Sequence, residues 1–163
     1  MSQQQAARGH ADDPESMSVN ERTVRTVVEI LGDGSRIDEL DDYLTEDYVR
    51  HGHSRDMGRE EFKEVIRELH RGIPAMTTSE IELIEQGSTV AYRWQSTGVH
   101  AGQYMGVIAT GKCVRAKGIT MSRLRDGRIC EEWASWNEVS LLHELGIIRS
   151  DSESNATFLT GAA

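Results

Sequence analysis

The sequence predicts an α+β fold in which N-terminal helices pack on a strongly curved, mixed or antiparallel sheet. Helical periodicity is confined to the first half of the chain, long runs of strand-forming residues follow it, and a short helix comes last. Helices and strands segregated in this way are typical of α+β domains rather than of doubly wound α/β domains. A strongly bent sheet wrapped over a helix makes a cone with one open end, which can hold an apolar ligand.

Length, composition and charge narrow the class of protein. The 163 residues fit one domain, and 37% hydrophobic with 28% charged residues are typical of a globular chain. The net charge is −9 with Lys and Arg scattered among acids, so no nucleic-acid partner is expected. No apolar run approaches the roughly 20 residues that cross a bilayer, and the N-terminus lacks the apolar segment of a secretory signal. We therefore expect a cytoplasmic protein without a membrane partner.

The domain is predicted to cover residues 18–148. Residues 1–17 and 149–163 are polar and without periodicity, so we expect a disordered N-terminal tail and a flexible C-terminal tail. Order begins with a capping box of Ser18 and Glu21, whose side chains satisfy backbone N–H groups at the start of a helix.

Apolar residues at helical spacing predict three helices in the first half of the chain. The first ends at Gly32, which supplies a C-terminal stop. A short second helix is predicted from a cap at Ser35 through Leu44. The third helix is the clearest, and Pro74 ends it. Its apolar stripe consists of Phe62, Val65, Ile66 and Leu69.

The second half is predicted to be a meander of antiparallel strands. Val90–Gln95 is rich in strand formers, and 113–124 and 128–136 are two long extended runs. The dipeptide Asp126-Gly127 between them is a strong hairpin signal, because Gly accepts a positive φ. A final short helix is predicted over 138–145.

Familiar catalytic signatures are absent from the sequence. It has no GxSxG, P-loop, GxGxxG or HExxH motif, which removes the usual indications of a hydrolase triad, a nucleotide site or a zinc peptidase. His51 and His53 flank a glycine and could ligate a metal, but a third ligand at a suitable spacing is missing, so we predict no metal. His51 is otherwise an ordinary polar residue or an acid/base group, since imidazole titrates near neutrality.

The strand Val90–Gln95 allows two interpretations. Alternation places Tyr92 and Trp94 on one face and Arg93 on the other. If the face of Arg93 lines the cavity, its guanidinium needs a carboxylate, for which Glu131 is the candidate. If Arg93 faces solvent, Tyr92 and Trp94 lie in the core.

Period two on the last long strand places Ile129, Glu131, Trp133, Ser135 and Asn137 on one face. Such a face is unusual for a packed core but suits a pocket wall, where aromatic area binds a ligand and polar groups orient it. The alternative is a solvated face, and only the family resemblance described below favours the pocket wall.

Two residues lie among glycines where the chain bends between strands. His100 and Tyr104 are either surface loop residues or the lip of the cavity, with Tyr104 and Met105 contacting the ligand. The substrate-binding residues that we predict are Trp94, His100, Tyr104, Met105, Met121 and Trp133.

A series of short motifs between Tyr48 and Gly146 carries a resemblance that covers about residues 20–147. They are Tyr48-Val49-Arg50-His51, Gly58-Arg59-Glu60-Glu61-Phe62, Gly98-Val99-His100-Ala101-Gly102, Ala109-Thr110-Gly111-Lys112, Arg123-Leu124-Arg125-Asp126-Gly127-Arg128-Ile129, Glu131-x-Trp133 and Leu141-Leu142-His143-Glu144-Leu145-Gly146. No single motif is specific. In order and spacing together they resemble the SnoaL-like polyketide cyclases, a family of the nuclear transport factor 2-like superfamily.

The resemblance implies a conical α+β barrel with a hydrophobic cavity, a homo-oligomer (dimer or tetramer), and neither metal nor organic cofactor. It implies a small hydrophobic substrate of secondary metabolism. The best-known members close the last ring of aromatic polyketides by an intramolecular aldol condensation, in which an aspartate abstracts a proton. Relatives associated with hydroxylation, hydrolysis or isomerisation share the fold, so the fold does not fix the reaction.

The sequence departs from the family pattern at that aspartate. The acid/base residue lies four positions after the motif Trp, where this chain has Asn137, and an amide cannot accept a proton at neutral pH. Either His51, Glu131 or Asp56 is the base, or the reaction is that of the hydroxylase or hydrolase branch, or the protein is a non-catalytic binding module. The catalytic residues that we predict are His51, Arg93, Glu131 and Asn137.

Overall fold

The computed structural model describes residues 17–52, 55–146 and 148, so the two predicted tails, apart from Met17, and His53 lie outside the described residues. Helices come first, long strands follow, and a short helix is last, which confirms the predicted fold class. The elements are α1 (Val19–Leu31), a 3-10 turn (Ile37–Glu39), α2 (Leu40–Tyr43), β1 (Leu44–His51), β2 (Asp56–Gly58), α3 (Arg59–Gly72), β3 (Thr77–Gln86), β4 (Thr89–Val99), β5 (Cys113–Arg125), β6 (Arg128–Trp136) and α4 (Glu138–Leu145).

The six strands form one curved sheet in the order β2-β1-β6-β5-β4-β3. The sheet is mixed, because β1 and β6 run parallel while every other neighbouring pair is antiparallel. It is open rather than closed, with β2 and β3 at its edges, so the predicted barrel is a curved sheet wrapped over helices. None of the helices in the described part of the chain is both long enough and apolar enough to span a membrane.

The local signals at the helix ends act as predicted, with one difference. The Ser18 hydroxyl accepts from the backbone N–H of Glu21 at 3.0 Å, and α1 ends at Gly32. The second helix is shorter than predicted: it has no side-chain cap at Ser35 and ends at Tyr43. Leu44 instead begins β1, where it pairs with Ile129 of β6 and is buried. A strand partner far along the chain therefore decides this helix end.

The core lies between the helices and one face of the sheet, called here the inner face. Helices α1 and α3 and the 3-10 turn cover it, and a second, smaller cluster lies beneath α4. The buried side chains on the sheet side of the main core include Tyr48, Val90, Tyr92, Leu124 and Ile129.

A β-bulge in β6 decides which of its residues face the core. Leu124 pairs with Ile129, but the preceding Arg123 pairs with Glu131, so Cys130 is an extra residue on β6. One extra residue reverses the alternation of the strand beyond it. The predicted face is therefore wrong beyond Ile129. Glu132, Ala134 and Trp136 lie on the inner face, whereas Glu131, Trp133 and Ser135 lie on the opposite, outer face.

Candidate functional site

A buried polar cluster lies on the inner face, consisting of Tyr48, Arg50, Ser122 and Glu132 and called here the inner cluster. The carboxylate of Glu132 is 1% exposed and binds three donors. Its Oε2 accepts from the Tyr48 hydroxyl at 2.6 Å and from Nη1 of Arg50 at 2.8 Å. Its Oε1 accepts from the Ser122 hydroxyl at 2.7 Å. A charge taken out of water in this way needs such partners, and this one has them.

Strand register brings the inner cluster together. Arg50 of β1 and Ser122 of β5 are the direct cross-strand neighbours of Glu132, one on each side of β6. Tyr48 is two residues before Arg50 and therefore faces the same way. From α3, the ring of Phe62 covers the Arg50 guanidinium, whose central carbon lies 4.5 Å from the ring centroid.

Electrostatics fix the protonation of the donors. Burial, the largest single influence, would lower the pKa of Arg50, but the negative charge of Glu132 together with the smaller contributions of Tyr48 and Tyr92 outweighs it, so the pKa is raised and the cation persists. Burial, followed by the charge of Glu132, raises the pKa of Tyr48. The same two causes raise the pKa of Tyr92. Both phenols therefore remain protonated and able to donate.

The Glu132 carboxylate has acceptor capacity left over. A carboxylate offers about four lone-pair positions. Three of them are used by Tyr48, Arg50 and Ser122, and among the described residues Oε1 accepts from Ser122 alone. One lone-pair position on Oε1 therefore has no hydrogen-bond donor among the described residues.

Two tryptophans lie on the same face, two rows of residues away from Ser122 and Glu132. Trp94 is half-buried, and its indole N–H donates to the Thr120 hydroxyl at 3.0 Å. Trp136, near the end of β6, is 37% exposed. Of the two interpretations of strand β4, the structure shows the one in which Arg93 faces solvent and Tyr92 and Trp94 face the core.

A second polar cluster lies on the outer face and joins β1, β2 and β6; it is called here the outer cluster. Nδ1 of His51 lies 3.0 Å from Asp56 Oδ1, and Nε2 lies 2.9 Å from Glu131 Oε1. The ring stacks on Trp133 with centroids 4.9 Å apart, and Arg123 pairs with Glu131 at 2.5 Å. The three residues predicted as alternative bases therefore meet, but on the face away from the core.

The protonation state of His51 follows from the geometry of the outer cluster. A carboxylate only accepts, so both ring nitrogens of His51 must donate, which requires the imidazolium form. The hydrogen bond to Glu131, then that to Asp56, raises the pKa of His51 above its ordinary value. Since neither ring nitrogen is free, this geometry does not favour the predicted role of His51 as a base.

Replacing His51 with glutamine is expected to lower stability in a pH-dependent way. A raised folded-state pKa contributes stability that is full below the unfolded value of 6.5 and is lost as the pH rises through the folded value. Urea unfolding should thus show the largest difference between wild type and H51Q at about pH 5.5 and little difference at about pH 8.5. An equal difference at both pH values would contradict the imidazolium assignment.

Arg93 and Asn137 have structural partners other than those predicted. The Arg93 side chain is 54% exposed and pairs with Glu82 at 3.3 Å, so the alternative in which Arg93 lines the cavity and pairs with Glu131 does not hold. Side chains alternate along β4, and this alternation places Arg93 on the outer face, away from the core. Asn137 is exposed and begins α4, where its Oδ1 accepts from the backbone N–H of Ser140 at 3.0 Å. Its side chain caps a helix.

The other residues predicted to bind substrate lie in different parts of the fold. Met121 lies on the outer face, and Met105 is exposed in a tight turn with a φ of 50°. Tyr104 is half-buried in the smaller cluster under α4. His100 is fully buried rather than a surface loop residue. Its Nδ1 contacts the Thr110 hydroxyl at 3.0 Å, while its Nε2 has no hydrogen-bond partner within the described ranges.

The predicted cavity stays a prediction. Two surface depressions, of about 350 Å³ and about 260 Å³, are lined by residues outside the inner and outer clusters. The larger is lined by Glu68, Arg71, Gln103, Met105 and Gly106, and the smaller by Gln95, Ser96, Thr97, Arg115, Ala116 and Lys117. Within residues 17–52, 55–146 and 148, no three His, Cys, Asp or Glu side chains are placed to hold a metal ion.

Sequence reasoning missed the inner cluster and Trp136. Tyr48 and Arg50 stand two apart within a quoted motif, which indicates a shared face. Glu131 and Glu132 are adjacent and alike, so only the bulge distinguishes the buried carboxylate of Glu132 from the partly exposed one of Glu131.

Comparison with known proteins identifies the family of the chain. The profile of the SnoaL-like polyketide cyclase family matches residues 21–145. No curated protein sequence matches the chain.

Solved structures share the fold over most of their length. IdmH of Streptomyces antibioticus, a candidate polyketide cyclase, is 28% identical, with 78% of this chain and 98% of IdmH covered and a TM-score of 0.69. AclR of Streptomyces galilaeus, a candidate hydroxylase, is 21% identical, with 81% and 100% covered and a TM-score of 0.71. A candidate SnoaL-like polyketide cyclase from Jannaschia sp. CCS1 is 19% identical, with 86% and 100% covered and a TM-score of 0.73.

Proposed function

The chain belongs to the SnoaL-like polyketide cyclase family, and from this premise we propose that it is an acid/base enzyme that cyclises or isomerises a polyketide-like hydrophobic molecule on its inner face. The observation that carries the proposal is the buried Glu132 carboxylate with one open acceptor position on Oε1. A carboxylate held in a site sheltered from water is a suitable group to take and return a proton.

The first step removes a proton from a carbon next to a ketone. Oε1 of Glu132 takes the proton, and the electron pair of the C–H bond moves into an enolate. The hydroxyl of Tyr92, which neighbours the inner cluster and forms hydrogen bonds with Thr120 and Ser122, stays protonated and is the donor that we propose for the enolate oxygen. Arg50 loses its counter-charge when Glu132 becomes neutral, which favours return of the proton.

The second step forms the ring and restores the enzyme. The enolate carbon attacks a second carbonyl of the same molecule, a C–C bond forms, and the new alkoxide takes the proton from Glu132. No atom is gained or lost overall, so the reaction is an isomerisation of the substrate. Holding both ends of one molecule together contributes about 7–11 kcal/mol in favourable systems.

A binding module without catalysis is the second candidate. Asn137 stands where the family pattern has an acid/base aspartate, and its side chain is engaged in capping α4. Hydroxylation, which requires molecular oxygen, is the alternative reaction on the same fold. The expectations of a cytoplasmic homo-oligomer without cofactor stay predictions.

Exchange of α-hydrogens tests the proposal without knowledge of the natural substrate. A bicyclic ketone such as 2-tetralone is incubated with the protein in D₂O, and loss of the α-proton signal is followed by NMR. We expect exchange faster than in buffer alone, with or without oxygen. Binding of the ketone without faster exchange would support the binding module, and oxygen-dependent formation of a hydroxylated product would support hydroxylation.

Replacing Asn137 with aspartate is expected to leave the exchange rate within about two-fold of wild type, since the acid/base group proposed is Glu132. Aspartate caps helices as well as asparagine does, so the fold should be retained. The same NMR assay measures the rate, and urea unfolding checks stability. A large gain in rate would show instead that position 137 faces the reacting atoms.

A further inference from the structure

Two tryptophans and a glycine form a row across the inner face. Trp94 of β4 pairs with Gly118 of β5, and Gly118 pairs with Trp136 of β6. Residues directly opposite each other in an antiparallel pair point to the same face of the sheet. We propose that this row is a shelf on which a flat ring of the ligand stacks, with Gly118 as its specificity-determining residue. The inference rests on the inner-face site proposed above.

Gly118 determines where the indole of Trp94 lies. A Cβ atom at position 118 would be 2.4 Å from Cζ2 and 2.7 Å from Cε2 of Trp94. The indole therefore lies directly against the backbone of β5, where the Thr120 hydroxyl anchors its N–H. Any side chain at 118 would lift the indole into the space above the sheet. The glycine thus sets the height of the shelf.

Trp136 provides the open part of the shelf. It is 37% exposed, although it belongs to the same face as the fully buried Glu132. A large aromatic surface left open on the same face as buried polar groups is a typical feature of ligand sites. Trp133, three residues earlier on β6, faces the other way and is already covered by His51 and Arg123.

The side chains on the inner face become more polar from the shelf towards Glu132, and this difference would orient the ligand. The row next to the shelf contains Tyr92 and Thr120, and the row after it contains Ser122 and Glu132. Successive rows are separated by about 7 Å, since each residue of a strand advances about 3.4 Å. A fitting ligand therefore has a flat apolar ring system at one end and a carbonyl or hydroxyl oxygen about 7–13 Å away.

The test compares a flat ligand with its saturated counterpart. 2-Acetylnaphthalene and 2-acetyldecalin carry the same ketone, but only the first has a planar ring system. Binding to wild type is measured by calorimetry, and we expect the flat ketone to bind at least about five-fold more tightly.

Variants on the two faces of β6 then test where the planar ring of the ketone binds. W136L is expected to weaken binding of the flat ketone about five- to ten-fold, whereas W133L, on the same strand but the outer face, should stay within about two-fold. G118A should weaken binding by displacing Trp94, and circular dichroism checks that each variant is folded.

The possible results separate the shelf from the proposed chemistry. Equal binding of both ketones by wild type, no binding of either, or equal losses in W136L and W133L would overturn the shelf. If W136L loses binding but wild type does not accelerate α-proton exchange, the shelf holds and the proposed reaction fails. If exchange is as fast in W136L as in wild type, the reaction holds and the shelf fails.

Discussion

Replacing Glu132 with alanine is expected to lower the free energy of unfolding by about 3–5 kcal/mol, the usual cost of removing one partner of a buried ion pair. The Arg50 cation would remain against the Phe62 ring without a carboxylate. Tyr48 and Ser122 would lose the acceptor to which they donate. Urea denaturation followed by circular dichroism measures the effect.

The neighbouring glutamate is a matched control for this prediction. Glu131 is on the same strand and pairs with Arg123, which is half exposed, and with the ring of His51. Ion pairs open to solvent contribute little, so at about pH 8.5, where the contribution of His51 is expected to be lost, E131A should cost less than about 1 kcal/mol. Equal costs for E131A and E132A would mean that the assignment of the two faces of β6 is incorrect.

Replacing Glu132 with glutamine is expected to slow α-proton exchange by about 10²–10⁴-fold, the usual contribution of a positioned general base. Glutamine has nearly the same shape and can keep the hydrogen bonds. Its amide oxygen can accept from Tyr48 and Arg50 at the position of Oε2, while its amide nitrogen donates to Ser122 at the position of Oε1. What it cannot do is accept the proton.

Two further measurements separate loss of the base from loss of the fold. E132Q leaves the charge of Arg50 without a counter-ion, so the exchange rate must be measured below the concentration of urea that begins to unfold this variant. S122A removes one donor from Oε1 but keeps the carboxylate, and it should retain exchange within about ten-fold of wild type. If E132Q exchanges the α-proton at the wild-type rate, Glu132 is not the base.

The sequence by itself determined the features that depend on neighbouring residues. The cap at Ser18, the hairpin at Asp126-Gly127 and the short helix over 138–145 are all where local signals predicted them. These signals are reliable here because the hydrogen bonds and backbone angles concerned lie within a few residues of chain. The ordered motifs likewise indicated the family that the profile match confirms.

The tertiary structure alone decided which side chains meet. Strands β1 and β6 pair although about 80 residues separate Tyr48 and Arg50 from Glu132, and no local pattern encodes that parallel register. The bulge at Cys130 then turns Glu132 inward and Glu131 outward. Period two holds only while a strand pairs without interruption, and one extra residue reverses every face beyond it. The buried carboxylate of Glu132 and the partly exposed one of Glu131 are therefore distinguished by strand pairing, not by residue type.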